Sequence, residues 1–546
     1  MAGVKWNREQ NIAIHARAKD ILVAAAAGSG KTAVMVERVV RLILSGVPLE
    51  KMLIVTFTNA STAEMKSRIR RALKSGIEKS DNPGERRIFR EQLDALATAD
   101  ISNFHGFAMK IINQFFHKLP DLEPGYRVED ELKIRAISGN VVDELFYDYF
   151  NSQDEKHQRF IAFLDDYSNG RTFADIKNKI IALHGEIRNI PRYEDVVLRM
   201  IDDYRGIENQ DDLDAYLRSK EKISRYYEDI IEENNSKAKK SKKKTEENED
   251  NKEEFFKPTL NALKQAAFIM ELVLDFDERF RLAKKEAGVI DFSDIEHFAI
   301  KLLDEDSVAD FYSKKFEYIF VDEYQDTSAL QEYFIEKISK KSSLFMVGDI
   351  KQSIYRFRNA EPQIFQDKYD RFTPEKDALL AAACEAELSD GDFDFKDQSI
   401  RIDLSANYRS KKYILDAVNN LFRGRMDGYN EESELKIGAP NPENALHEPT
   451  YHFINVERNE EANRDELEAV LVAKIIRDHL GQEYFVEGYE EDPKTGEKIK
   501  TSKRKTLEYR DMVILSRAVS GYGTNLAKKL VELGIPAYVT KKSDFF

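Results

Sequence analysis

Three features of this 546-residue chain predict a parallel α/β fold. Apolar stretches at 21–26, 52–58, 318–322 and 344–349 alternate with helical patterns, the rhythm of strand–crossover–strand units. The first stretch runs into a glycine-punctuated loop, AAAAGSGKT at 24–32, followed by the amphipathic run AVMVERVVRLIL. The third ends in the adjacent carboxylates Asp322 and Glu323. Open parallel sheets hold their ligands at the carboxyl ends of the strands.

The loop has the chemistry of phosphate capture. Gly28 and Gly30 let backbone N–H groups approach phosphate oxygens closely, and Lys31 reaches the β/γ-phosphates. The Thr32 hydroxyl is a ligand for Mg²⁺, and the following helix points its positive end at the anion. Ala25 stands where the G-x-x-x-x-G-K-[ST] pattern has its first glycine; Ala26 and Ser29 complete the cradle. ATP with Mg²⁺ is the cofactor this implies. Asp322 suits the Mg²⁺ shell, and Glu323 suits orienting and deprotonating an attacking water. An acidic pair after a strand also reads as a helix N-cap; the phosphate loop shifts the reading to catalysis. The strand LFMVGD at 344–349 leads into IKQSIYRFR, where Gln352 is placed to sense a γ-phosphate. Tyr355, Phe357 and Arg358 offer the aromatic and cationic faces on which single-stranded bases stack.

Further blocks stand in order: WNREQNIAI (6–14), TFTNASTAEMKSRI (56–69), ISNFHGF (101–107), DFSDI (291–295), VDEYQDTS (321–328) and LSANYRS (404–410). Together they resemble the UvrD/Rep-like superfamily 1 helicases. The wording of AAAAGSGKTAVMVERVV and of LPDLEPGYRVEDE (119–131) is similar to the AddA-type subunits of bacterial helicase–nucleases. The resemblance implies a P-loop NTPase with RecA-like motor lobes. It implies that Gln10 reads adenine, with Tyr408 an adenine-side contact and Arg409 an arginine finger. Phe57, Thr58, Asn59 and His105 would lie on the DNA side, with DFSDI as another such element. It further implies single-stranded or duplex-end DNA as substrate, 3′→5′ movement, and a second, AddB-like subunit in double-strand break repair and recombination.

Bland readings compete with several of these residues. Phe57, Tyr355 and Phe357 also read as core aromatics, His105 as a packed histidine, and Trp6 as a packing residue near the adenine loop. The cations of KSRIRRALK (66–74) and RFR (356–358) suit a nucleic-acid groove, or a solvated face. The net charge of −15 decides neither way, because nucleic-acid affinity comes from local patches. The single cysteine, Cys384, excludes a disulfide framework and any multi-cysteine metal centre within the chain. No apolar run reaches membrane-spanning length, and MAGVKWNREQ lacks the layout of a secretion signal. A cytoplasmic protein without membrane partners is the expectation.

The expected organisation is a split motor lobe. Residues 1–110 and 281–375 form the first lobe, and 111–280 form a helical insertion with a disordered, lysine- and glutamate-rich loop at 234–254. Residues 376–546 comprise an irregular linker (376–400) and a partial second lobe. That lobe contains a strand at 401–405, strands at 450–457 and 510–517, and a hairpin around DPKTGEKI (492–499). Neither the later helicase motifs nor the carboxylate–lysine pattern of a RecB-like nuclease core is present. The expectation is therefore the N-terminal portion of a longer protein, binding ATP–Mg²⁺ and single-stranded DNA, hydrolysing slowly and not unwinding. A stand-alone UvrD-type repair helicase and a nucleotide-binding scaffold remain alternative readings.

Overall fold

Apolar runs without polar alternation are what a sheet covered on both faces requires, and here four such runs are strands of a seven-stranded parallel sheet. The computed structural model describes residues 6–167, 172–219, 247–378, 395, 398–426, 429, 434–438, 449–455, 464–491, 498–517 and 519–539. In chain order the strands are β1 (Asp20–Ala25), β2 (Met52–Thr56), β3 (Asp100–Asn103), β4 (Arg127–Val128), β5 (Val289–Ile290), β6 (Tyr318–Val321), β7 (Ser343–Gly348), β8 (Thr373–Pro374) and β9 (Ser399–Leu404). The main sheet has the order β3-β2-β6-β7-β1-β9-β8. Successive side chains enter opposite layers: Ile54, Phe320, Phe345 and Val347 join one core, and Leu53, Val55, Ile319, Val321 and Met346 the other. Trp6 packs half-buried against the first core.

The order β6-β7-β1 matters most for function. It sets the ends of three motif-bearing strands side by side, with β2 next to β6 and β3 beyond it.

One boundary differs from expectation. The strand assigned at 401–405 to a second lobe pairs instead with β1 of the first sheet, Asp20 opposite Ser399 through to Ala25 opposite Leu404. Its alternating Ile400, Ile402 and Leu404 fill the same core as Ile21, Val23 and Ala25, which is what draws it into this sheet. Two further short strands, β10 (Ala406–Asn407) and β11 (Lys436–Ile437), pair in parallel. The expected hairpin is present, with β12 (Glu483–Glu491) antiparallel to β13 (Lys498–Thr506). The expected strands at 450–457 and 510–517 are not formed over their described residues. Both have strand-like composition, but no neighbouring strand among the described residues supplies a ladder, and Phe453 and Leu515 are left 90% and 89% exposed. Most of the linker at 376–400 lies outside the described residues.

Between residues 131 and 286 the described residues are mostly helical, and the two-residue pairing of β4 with β5 closes the base of this insertion. The loop expected at 234–254 lies outside the described residues up to 246, while 247–254 begin the helix Glu247–Glu286. The insertion joins the sheet domain through buried charge. Arg188 donates to Asp294 at 2.8 Å and to Ser293 Oγ at 3.1 Å, and Lys284 donates to Asp291 and Asp294 at 2.7 and 2.6 Å. Asp277 accepts from Tyr193 OH at 2.7 Å and pairs with His184 at 2.7 Å. Burial, reinforced by the Arg188 charge, pushes the His297 pKa down to about 3, so its Nε2–H donates to the Arg188 carbonyl at 2.8 Å. Among the described residues, no helix is long and apolar enough to cross a membrane.

Burial alone would raise the Asp277 carboxyl, but His184 and Arg188 hold it at about 2. A folded-state pKa below the unfolded one stabilises above about pH 4, and that contribution is lost as pH falls toward 2. Urea unfolding across this window should show the wild type losing stability faster than Asp277→Asn, which should be less stable at pH 7. Equal slopes would show that the joint does not depend on this charge.

Candidate functional site

Phosphate-loop geometry is built at the end of β1. Ala25 is its last residue and points into the core, so a methyl group is accommodated where the common pattern has glycine. The chain then turns tightly, the Ser29 N–H donating to the Ala26 carbonyl at 3.1 Å. Gly28 and Gly30 are left-handed, with φ of 70° and 87°, a conformation that costs glycine little. Lys31 opens the helix Lys31–Leu44, and no side chain caps its first N–H groups. Thr32 is half-buried in that first turn.

Three carbonyls of this loop are held from outside it. Asn407 Nδ2 donates to Ala27 O at 2.6 Å, the Tyr408 N–H to Gly28 O at 2.8 Å, and Gln10 Nε2 to Ser29 O at 2.9 Å. The Gln10 Oε1 also accepts the Asn7 N–H at 3.0 Å. Each end of that amide keeps one further hydrogen-bonding position, which leaves adenine reading open to it. Ser29 Oγ is buried without a partner, as expected of a group whose partner is a bound anion. The tight loop, the uncapped helix end and this orphaned hydroxyl all fit a nucleotide triphosphate.

The carboxylates lie two strands away, at the end of β6. The Asp322 N–H donates to Val55 O at 3.0 Å. Glu323 follows in the left-handed region at φ 51°, a strained position for a non-glycine residue and one concentrated at functional sites. Glu323 Oε2 accepts from Lys31 Nζ at 3.2 Å and from Gln325 Nε2 at 3.0 Å. Burial and the Glu323 charge push the Asp322 carboxyl up to about 6 against the pull of Lys31. Asp326 is likewise raised to about 6, by burial and by Glu323, and its Oδ1 is buried without a partner. Among the described residues no cluster of three or more acidic, histidine or cysteine ligands could hold a metal. Thr32 and Asp322 could supply two oxygen ligands to Mg²⁺, which commonly takes few protein ligands and completes its shell with phosphate and water oxygens.

A hydrogen-bonded chain runs on from Glu323. Gln325, 1% exposed, accepts the Asp349 N–H on Oε1 at 2.9 Å. Asp349 Oδ2 accepts from Gln352 Nε2 at 2.7 Å, and its Oδ1 pairs with Lys351 at 3.0 Å. Gln352 is thus connected to Glu323 through two buried residues that sequence reasoning left without a role. Both lie inside quoted motifs, and their type, buried amide and buried acid after a strand, was the available signal.

The aromatic residues gather on the same sheet edge. Phe57 and Tyr355 have ring centroids 4.9 Å apart, and Tyr355 and Phe357 5.8 Å apart. The Arg358 guanidinium lies 5.6 and 5.8 Å from the last two rings. Phe357 is 76% exposed, so this is a ledge and not core. Thr58 caps the helix Asn59–Lys79 by accepting the Ser61 N–H at 3.0 Å, and Asn59 accepts from Asn103 at 3.0 Å. His105 pairs with Glu296 at 3.6 Å and meets Phe292 edge-on. It thus packs on the helix Phe292–Leu303 and not on the ledge. Within DFSDI, Asp291 caps that helix, and Asp291 and Asp294 anchor the buried joint described above. Of the 66–74 segment, Ile69, Ala72 and Leu73 face the core while Arg70, Arg71 and Lys74 are exposed. Tyr408 is 40% exposed beside Gly438, and the Arg409 backbone is fixed against the phosphate loop through Asn407.

An ionised carboxylate kept half-desolvated beside another destabilises the fold that holds it. Asp322→Asn should therefore raise the melting temperature of the ligand-free chain by a few degrees in calorimetry at neutral pH. A lower melting temperature would mean that the carboxylate is needed for folding.

Comparison with known proteins agrees with this geometry. The UvrD/REP helicase N-terminal domain model matches residues 6–373. The A-type subunit of the ATP-dependent helicase/nuclease from Alkaliphilus oremlandii is 30% identical over 99% of this chain and 50% of its own length. The proteins of that name from Bacillus pumilus and Geobacillus kaustophilus are each 32% identical, over 99% and 100% of this chain and 49% and 50% of theirs. The chain spans about half the length of the curated relatives it matches. With nucleotide-loop, carboxylate and ledge motifs on adjacent parallel strands and a family match over most of its length, the chain belongs to the UvrD/REP helicase family.

Proposed function

We propose that this chain is the ATP-driven motor portion of a helicase–nuclease subunit that processes DNA ends in break repair and recombination. A cytoplasmic setting and a second, AddB-like subunit go with that reading. The observation that carries it is the hydrogen-bonded chain Lys31–Glu323–Gln325–Asp349–Gln352, which ends beside the exposed aromatic ledge. In this reading Lys31 and the amides of the loop from Ala25 to Thr32 hold the β- and γ-phosphates. Thr32 and Asp322 would hold Mg²⁺, which would supply positive charge against that developing on the transferred phosphoryl group. Glu323 orients the attacking water and takes its proton, Gln352 meets the γ-phosphate, and Arg409 completes the charge stabilisation from the far side. Gln10 and Tyr408 flank the base. Phe57, Tyr355 and Phe357, with Arg358, stack the bases of a single strand, each stack contributing about 1–3 kcal/mol. Thr58, Asn59 and His105 shape the adjoining edge.

The test is steady-state ATP hydrolysis by the chain with and without single-stranded DNA. Turnover should rise with DNA and vanish in Lys31→Ala. Glu323→Gln should lose about 10²-fold or more of turnover while retaining ATP affinity. Turnover indifferent to both substitutions would contradict the motor reading, and ATP binding without DNA stimulation would favour an assembly scaffold.

A further inference from the structure

The phosphate loop is governed through its carbonyls. In a trans peptide the C=O of one residue and the N–H of the next point to opposite sides. Donors on the carbonyls of Ala27, Gly28 and Ser29 therefore fix where the amides of Gly28, Ser29 and Gly30 point. The Ser29 amide closes the turn onto Ala26. The amides of Gly28 and Gly30 have no protein acceptor among the described residues and are left to meet an anion.

One of the three donors does more than the others. Asn407 is 2% exposed and uses both ends of its side chain. While Nδ2 holds Ala27 O at 2.6 Å, Oδ1 accepts the N–H groups of Arg409 at 2.8 Å and Ser410 at 2.7 Å. Its own carbonyl accepts the Gly438 N–H at 2.8 Å, anchoring it to β11. The contact is close: a Cβ on Gly28 would stand 2.8 Å from Asn407 Nδ2 and 2.9 Å from Arg409 Cβ. The loop and the segment bearing Arg409, 380 residues apart in sequence, thus share one amide group.

We propose that Asn407 is a positioning residue that sets the phosphate-loop amides and the Arg409 backbone in a single arrangement. Its nitrogen turns the Ala27–Gly28 peptide so that the Gly28 N–H faces the phosphate, and its oxygen folds the turn that presents Arg409. The catalytic half of this statement rests on the motor reading above; the half concerning loop conformation does not.

Asn407→Asp separates the two ends. It keeps an oxygen for the Arg409 and Ser410 amides but has no donor for Ala27 O. Hydrogen–deuterium exchange of the full chain should show the Ser29 amide, which closes the turn onto Ala26, exchanging at least tenfold faster in this variant, with 405–410 near wild type. Exchange in β2 and β6 reports that the fold is intact. ATP should show a KM raised tenfold or more. Asn407→Ala, which introduces no charge, should speed exchange in both segments and lower kcat as well, because Arg409 is no longer presented. Wild-type loop exchange in both variants would overturn the proposal. If the wild type binds no ATP yet the loop exchange still rises, the motor reading falls and the positioning of the loop stands.

Discussion

Gly348 leaves no room for a side chain: a Cβ there would stand 2.5 Å from Gln325 Oε1. That tightness follows from β7 running parallel between β6 and β1, and the rest of the site depends on it. Parallel neighbours end at the same edge, so the loop after β1, the carboxylates after β6 and Asp349 after β7 are adjacent without further design. Gln325 can then lie across the end of β7 and contact both Glu323 and Asp349. With β2 beside β6, Phe57 reaches Tyr355 on the same edge. The nucleotide loop and the aromatic ledge are two ends of one row.

The helical insertion is fastened to this row by charge. Arg188, Lys284, Asp277, Asp291 and Asp294 are brought out of water together, which is favourable only because each acceptor and donor finds a partner. Removing one member strands the others, so the joint specifies one orientation of the insertion more than it adds stability. A second link runs directly to the ledge segment, where Asn359, left-handed at φ 61°, donates to Asn189 at 2.6 Å. The ledge is therefore braced from the sheet through Phe57 and from the insertion through Asn189.

Much of this was legible in the sequence because the chemistry is written in short local strings. Strand, glycine loop and lysine are contiguous, and Asp322 and Glu323 follow their strand directly. What the sequence obscured required knowledge of distant partners. Whether 399–404 belongs to the first sheet depends on the match of Ile400 and Ile402 to Ile21 and Val23, 379 residues away in sequence. Nothing in DFSDI itself tells that Arg188 and Lys284 hold its acids. The composition of 450–457 and 510–517 marks residues able to pair, yet pairing needs a neighbour that composition cannot supply. Gln325, Asp349 and Asn407 lie inside recognised motifs, but their roles follow from what their amide and carboxylate groups reach.

If nucleotide and single-stranded DNA are sensed through one hydrogen-bonded row, each must alter the affinity for the other. The direct test is the affinity of the chain for an oligonucleotide with and without a non-hydrolysable ATP analogue, and for the analogue with and without the oligonucleotide. Linkage requires the two ratios to be equal. The wild type should give a ratio well away from one, falling to one in Gln325→Ala while each ligand still binds alone. A wild-type ratio of one, or a coupling that survives loss of Gln325, would contradict sensing through this row.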